Sequence, residues 1–160
     1  MKSKKLPLRL RAEAVGLKHD GNELLVLCGI FQDGSLGFPG GGVEIGESVA
    51  HAAARELREE CGWVLGRALE VAGIKYQRIW EKPRKGREGY SGSETRFAVG
   101  VLESAVPKAV GPDGSTGGLK AIQLVPVGYA LAQLERGDER EAIRAAALER
   151  GIHAFHDTFG

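Results

Sequence analysis

Three carboxylates, Glu56, Glu59 and Glu60, crowd into the segment SVAHAAARELREEC, and the stretch before it, FPGGGVEIGES, contains four glycines. On an α-helix the three acids fall on one stripe with Ala52, beside an apolar seam of Ala50, Ala54, Leu57 and Cys61. Like charges at this spacing repel by a few tenths of a kcal/mol per pair, so something positive must compensate. Arg55 and Arg58 can do so within the helix, which would make it a solvated surface element. The other account is a hard divalent cation such as Mg²⁺, which takes oxygen ligands and is commonly shared between carboxylates and substrate phosphate.

These residues need elements to position them. Ser48 reads as the N-cap of a helix that runs to Cys61 and stops at Gly62. Upstream, LRLRAEAVGLK from Leu8 alternates and ELLVLCGIF from Glu23 is an apolar run; with HDGN between them they read as a β-hairpin. Downstream, Ala68 to Trp80, Thr95 to Leu102 and AIQLVPV from Ala121 read as strands. A basic loop, EKPRKGREGYSGSE, and a Gly/Pro-rich one, SAVPKAVGPDGSTGG, connect them. A short helix from Pro126 toward Leu134 and a longer one from Asp138 to Arg150 complete the chain. Strands first, a helix in the middle and helices at the end suggest one domain, residues 1–160, with helices on the faces of a mixed sheet, either α+β or an α/β sandwich.

Composition narrows the function classes. The net charge is +1, so no bulk field draws the chain to nucleic acid or membrane, and charged partners must be met by a local site. The basic N-terminus has no long apolar run after it, which predicts no membrane span and a cytoplasmic protein. Cys28 and Cys61 lie in apolar patterns at no metal or redox spacing and read as reduced core thiols. His51, His153 and His156 have no ligand-like pattern and read as surface or satisfied residues.

The spacing from Gly41 through Glu47, Arg55, Glu56, Leu57, Glu59 and Glu60 to Gly62 reproduces G-x5-E-x7-R-E-U-x-E-E-x-G-U, the Nudix box. The chain therefore resembles the Nudix hydrolase family, with Trp63 in place of the usual last aliphatic residue. The resemblance implies an α/β/α sandwich and Mg²⁺-dependent hydrolysis, Mn²⁺ being the alternative, of a nucleoside diphosphate linked to another group. It assigns Glu59 and Glu60 as the main metal ligands, Glu56 as ligand or base, and the Gly40 carbonyl as a further ligand. Arg55 and Glu47 would orient the carboxylates. The glycines would let the backbone turn sharply so that Gly40 reaches the metal. The implied chemistry is attack of water on phosphorus, assisted by metal charge and a carboxylate base. Outside the box, Glu94 and Asp113, both expected in loops, are the candidates for base or ligand.

For the substrate, Arg84, Lys85 and Arg87, with Lys82, place cations in one loop where they can meet extra phosphates; a solvated loop is the alternative. YSGSETRF, Tyr90 to Phe97, resembles the Y-x-G-Q-x-Q-x-W-F stretch of diadenosine-polyphosphate and RNA 5′-pyrophosphate Nudix enzymes, with Ser93 and Thr95 in place of both glutamines. The proline that marks many ADP-ribose enzymes and the SQPWPFPxS segment of NADH-cleaving ones are missing. Tyr76, Trp80 and Tyr90 are candidates to stack a base, although Tyr76 and Trp80 at strand spacing read first as core. The preferred substrate is a dinucleoside polyphosphate or a 5′-polyphosphate RNA end. The alternatives are a nucleoside triphosphate pyrophosphatase and a nucleotide-binding module without turnover. The sequence leaves homodimer formation open.

Overall fold

The computed structural model describes residues 5–103 and 119–150, with residues 147–150 in backbone only. The alternating N-terminal segment forms β1 (Leu8–Asp20), which turns at Gly21 into β2 (Glu23–Phe31). Gly21 has φ 61°, a conformation open to glycine because it lacks a Cβ. Two short strands follow, β3 (Leu36–Gly37) and β4 (Gly40–Gly42), then α1 (Val49–Cys61), β5 (Val64–Ile79) and β6 (Gly92–Glu103). The described chain ends with β7 (Leu119–Pro126), α2 (Val127–Gln133) and α3 (Gly137–Arg150).

The seven strands form one sheet in the order β3-β2-β1-β6-β5, with β4 paired to β1 and β7 to β2. β1 and β6 run parallel and every other pair is antiparallel, so the sheet is mixed, as expected. Alternation along β1 sends Ala12 and Ala14 to one face, where they pack with Val49, Ala53, Leu57 and Cys61 of α1. Val15 and Leu17 go to the other face and pack with Val127, Ala130 and Ile143 of α2 and α3. Helices thus cover both faces, the sandwich that the sequence implies. Leu57 is fully buried, and such a side chain contributes roughly 1.5–3 kcal/mol by leaving water.

Four local expectations are corrected. The buried seam of α1 is Val49, Ala52, Ala53, Leu57 and Cys61; Ala50 and Ala54 are only half-buried, and Ala52 belongs to the core rather than to the acidic stripe. The glycines Gly40–Gly42 do not turn: they are a strand on β1, and in that stretch only Gly46 has a positive φ, 81°. Strand β5 starts earlier than Ala68 and carries register shifts, with Arg67 at φ 52° and Gly73 at φ 80°. Glu94 lies within β6, not in a loop, because the polar segment GSETR is held in register by β1 on one side and β5 on the other. Such pairing overrides a weak strand pattern.

Cys28 and Cys61 are free and buried, and burial pushes both thiols up to about 12. Among the described residues no helix is long and apolar enough to cross a membrane.

Candidate active site

The helix that carries the carboxylates is fixed at both ends. Ser48 Oγ accepts the His51 amide at 3.0 Å, and Gly62, at φ 76°, donates its amide back to the Arg58 carbonyl at 2.9 Å. Inside this frame Arg55 is the hub. Its Nε and Nη2 donate to the two oxygens of Glu47 at 2.8 and 3.0 Å, Nη2 also reaches the Gly42 carbonyl at 3.0 Å, and Nη1 donates to Glu56 Oε1 at 3.0 Å. The same Nη1 reaches Glu59 at 3.4 Å. The forked guanidinium matches a carboxylate edge to edge, so Arg55 ties loop, glycine strand and helix together. Its hydrogen bonds hold the Glu47 carboxyl down at about 2, and the Glu44 amide at 3.0 Å helps.

Glu56 and Glu60 meet beside β4. Burial, and then the hydrogen bond and charge of Glu56, push the Glu60 carboxyl up to about 8, with Arg11 and the Gly40 backbone pulling the other way. The glycines make this approach possible. A Cβ at Gly41 would stand 2.4 Å from the Glu56 carboxylate, one at Gly40 would stand 2.2 Å from the Ala12 carbonyl, and one at Gly42 would stand 2.2 Å from Arg9 Nη2. The donor set fits a hard divalent cation: all oxygen, with Glu60 held against its preference for ionisation next to a second carboxylate and the Gly40 backbone. The expected trio is not gathered at one point, however. Among the described residues no three His, Cys, Asp or Glu side chains converge on a metal position, and Glu59, with its side chain 57% exposed, faces Arg55 across one helical turn. The i, i+4 ion pair accounts for that orientation.

Two cavities flank the glycine strand. One of about 400 Å³ runs from Gly40 and Glu60 past Glu13 to an apolar wall that includes Phe31, Leu36 and Phe38. Buried Glu13 and Glu139 face Arg136 there, at 3.4 and 3.8 Å. The second, about 300 Å³, is lined by Arg9, Arg11, Arg78, Arg84, Arg87 and Arg136 together with Tyr76, Trp80, Ser93 and Thr95. Arg11 and Arg136 belong to both.

Other expected residues fall in different places. Arg84 and Arg87 line the basic cleft, whereas Lys85 is exposed and is not part of its lining. Tyr76 and Trp80 are not core: Tyr76 is 36% exposed, and their rings are covered by Arg136 at 4.1 Å and Arg84 at 4.6 Å. Alternation along the chain explains this, since Tyr76, Arg78 and Trp80 line the cleft together with Ser93 and Thr95 of β6. Tyr90 is exposed. Glu94 is held by Gln77 at 2.7 Å and Arg96 at 2.8 Å, with Lys75 at 3.9 Å, and these contacts, Gln77 first, lower its carboxyl. None of these partners comes from α1. His51 is exposed, 4.0 Å from Glu47. Asp113, His153 and His156 lie outside the described residues.

Arg9, Arg11, Glu13, Arg78, Arg136 and Glu139 are site-lining residues that reading the sequence passed over. For the first three the signal was present: in LRLRAEAV the polar partners of the alternation, at positions 9, 11 and 13, share one face.

The NUDIX domain family model matches residues 7–146. No curated protein sequence matches the chain. Among solved structures, the NUDIX domain of Shewanella oneidensis NrtR complexed with ADP ribose is 18% identical with a TM-score of 0.65, over 91% of this chain and 90% of that one. C. elegans Ap4A hydrolase is 15% identical with a TM-score of 0.58, over 89% and 98%. A MutT NUDIX hydrolase from Burkholderia pseudomallei is 23% identical with a TM-score of 0.57, over 86% and 96%. With the family model spanning most of its length and the Arg55-centred box assembled on α1, the chain belongs to the NUDIX domain family of hydrolases.

Proposed function

We propose that this protein is a metal-dependent pyrophosphohydrolase that cleaves a phosphoanhydride bond in a nucleotide carrying a polyphosphate chain, a dinucleoside polyphosphate or a 5′-polyphosphate RNA end. The observation that carries the reading is the Arg55 hub, which holds Glu47, Glu56 and the Gly42 carbonyl in one hydrogen-bonded unit beside Glu60. Glu56, Glu60 and the Gly40 carbonyl, with Glu59 at the rim, would hold Mg²⁺ or Mn²⁺. The bound cation supplies positive charge at the phosphate and lowers the pKa of water. Arg55 bonds Glu56 Oε1 and would orient that carboxylate as the base that takes the proton of the attacking water. The cavity beside Glu60, with Phe31 and Phe38 in its wall, offers a nucleoside the apolar surface it needs. The arginines of the 81–90 loop, which line the basic cleft, support the polyphosphate class over a nucleoside triphosphate pyrophosphatase.

The test is a panel of nucleotides incubated with purified protein and Mg²⁺ or Mn²⁺, scored by kcat/KM. Nucleoside mono- or diphosphate products are expected, and Glu56→Gln or Glu60→Gln should lower turnover by about 10² to 10⁴. Glu94→Gln should cost less than about tenfold, because that carboxylate is committed to Gln77 and Arg96. Nucleotides that bind but are never cleaved would establish the binding-module alternative instead.

A further inference from the structure

The second cavity has an unusual charge balance. Among the described residues six arginines and no carboxylate line it, in a protein whose net charge is only +1; of the six, Arg136 is also paired behind the cleft with Glu13, Asp138 and Glu139. Its construction follows from register. Arg9 pairs with Ser93 and Ser93 with Arg78; Arg11 pairs with Thr95 and Thr95 with Tyr76. Each row across the sheet therefore has a small hydroxyl residue in the centre and large side chains on both sides, which makes a trough with a hydroxyl floor. The 81–90 loop forms one end, and backbone bonds from Arg87 to Arg84 at 2.8 Å and from Tyr90 to Arg87 at 3.0 Å set its curvature. Ser93 and Thr95 stand where the resembled motif has glutamines, and longer side chains at those positions would fill the floor.

Crowded guanidinium groups repel one another, and without a counter-charge the arrangement costs free energy. Arg9 shows it: burial, then Arg87 and Arg11, lower its affinity for the proton. Arg84 lies over the Trp80 ring, and among the described residues buried Trp80 Nε1 has no acceptor. The cleft also adjoins the carboxylates. Arg9 packs against Gly42 and feels Glu56, while Arg11 feels Glu60.

We infer that this arginine trough is a metal-independent binding site for a linear oligophosphate, which holds the uncleaved phosphates of the substrate across the glycine strand from the carboxylates. This rests on the box being the place of cleavage. Forked donors match phosphate oxygens two at a time, so several arginines in a row read a run of phosphates rather than a single one. The site thereby sets a minimum chain length for good substrates.

Isothermal titration of the full chain with inorganic tripolyphosphate, after metal is stripped on a chelating resin, tests this directly. Saturable binding is expected, and the Arg84→Glu/Arg87→Glu variant, altered only in the exposed loop, should weaken it on the order of tenfold or more. Arg144→Glu, on the exposed side of α3, should change it by less than about twofold. Absence of saturable binding, or an equal loss in Arg144→Glu, overturns the proposal. A 5′-hydroxyl RNA oligonucleotide that displaces tripolyphosphate at equal phosphate concentration also overturns it, since the surface would then read a nucleic-acid backbone. Whether the phosphates arrive free or on a nucleotide is read from kcat/KM: the wild type should favour dinucleoside tetraphosphate over a nucleoside diphosphate sugar, and the double variant should flatten that ratio. An unchanged ratio removes the trough from substrate selection. The titration involves no metal and no turnover, so a wrong assignment of hydrolysis leaves it unaffected; Glu60→Gln should bind tripolyphosphate while failing to cleave nucleotides.

Discussion

Arg55 illustrates how much one side chain can organise. It is 15% exposed and bonds two carboxylates and a carbonyl at 3.0 Å or less, which leaves the carboxylates of α1 little freedom to reorient. Glu47 is the member whose ionisation most favours the folded state. Its carboxyl titrates at about 2 in the folded chain, below the ordinary carboxylate value near 4.5, because Arg55 bonds only the charged form. A lowered folded pKa contributes stability above the unfolded pKa and loses it as pH falls through the folded one. Urea denaturation between pH 7 and pH 2 should therefore show a decline in acid that Glu47→Gln largely lacks. At pH 7 the substitution should lower stability by about 1.5–3 kcal/mol, the range for a hydrogen bond to a charged group. A variant with the wild-type acid profile would remove Glu47 from this role.

At the scale of elements, the glycine strand separates two effects that usually travel together. Gly40 and Gly41 are adjacent and both lack room for a Cβ, yet they meet different neighbours. At Gly40 the obstacle is backbone, the Ala12 carbonyl, so β4 must part from β1; Gly40→Ala should cost about 1–3 kcal/mol, read as a lower Tm. At Gly41 the obstacle is the Glu56 carboxylate, the end of a flexible side chain that can move aside by giving up its bond to Arg55 without parting the strands. Gly41→Ala should leave stability within about 1 kcal/mol of the wild type but lower kcat by about tenfold or more, since it moves the carboxylate. If both variants lose Tm equally, the glycines serve packing alone. The sequence carried much of this local design: cap, helix, stop and box spacing all lie within about twenty-five residues and follow local rules. It did not show that Gly40–Gly42 form a strand, or that Glu94 sits inside β6, because both depend on pairing with β1, far away in the chain.

The whole molecule brings its least legible residues together from the two ends of the described chain. Glu13 on β1 meets Arg136 at 3.4 Å and Glu139 on α3, a contact between segments 123 residues apart, which no local pattern announces. Glu13 and Glu139 are 5% and 4% exposed, and their positive neighbours are Arg136, also bonded to Asp138, and more distant Arg11. Burial, and then repulsion from Glu13, push the Glu139 carboxyl up to about 9, so the folded protein retains a proton there that the unfolded chain releases near 4.5. A raised folded pKa contributes stability that is full below the unfolded value and is lost as pH rises through the folded one. Global stability should accordingly fall between about pH 5 and pH 9 by more in the wild type than in Glu139→Gln, whose amide needs no proton to be neutral. Chemical denaturation across that window is the measurement. Equal slopes in the two proteins would mean that the pair is ionised and fully balanced by Arg136, whereas a flatter slope in the variant establishes that α3 docks on the sheet through a shared proton.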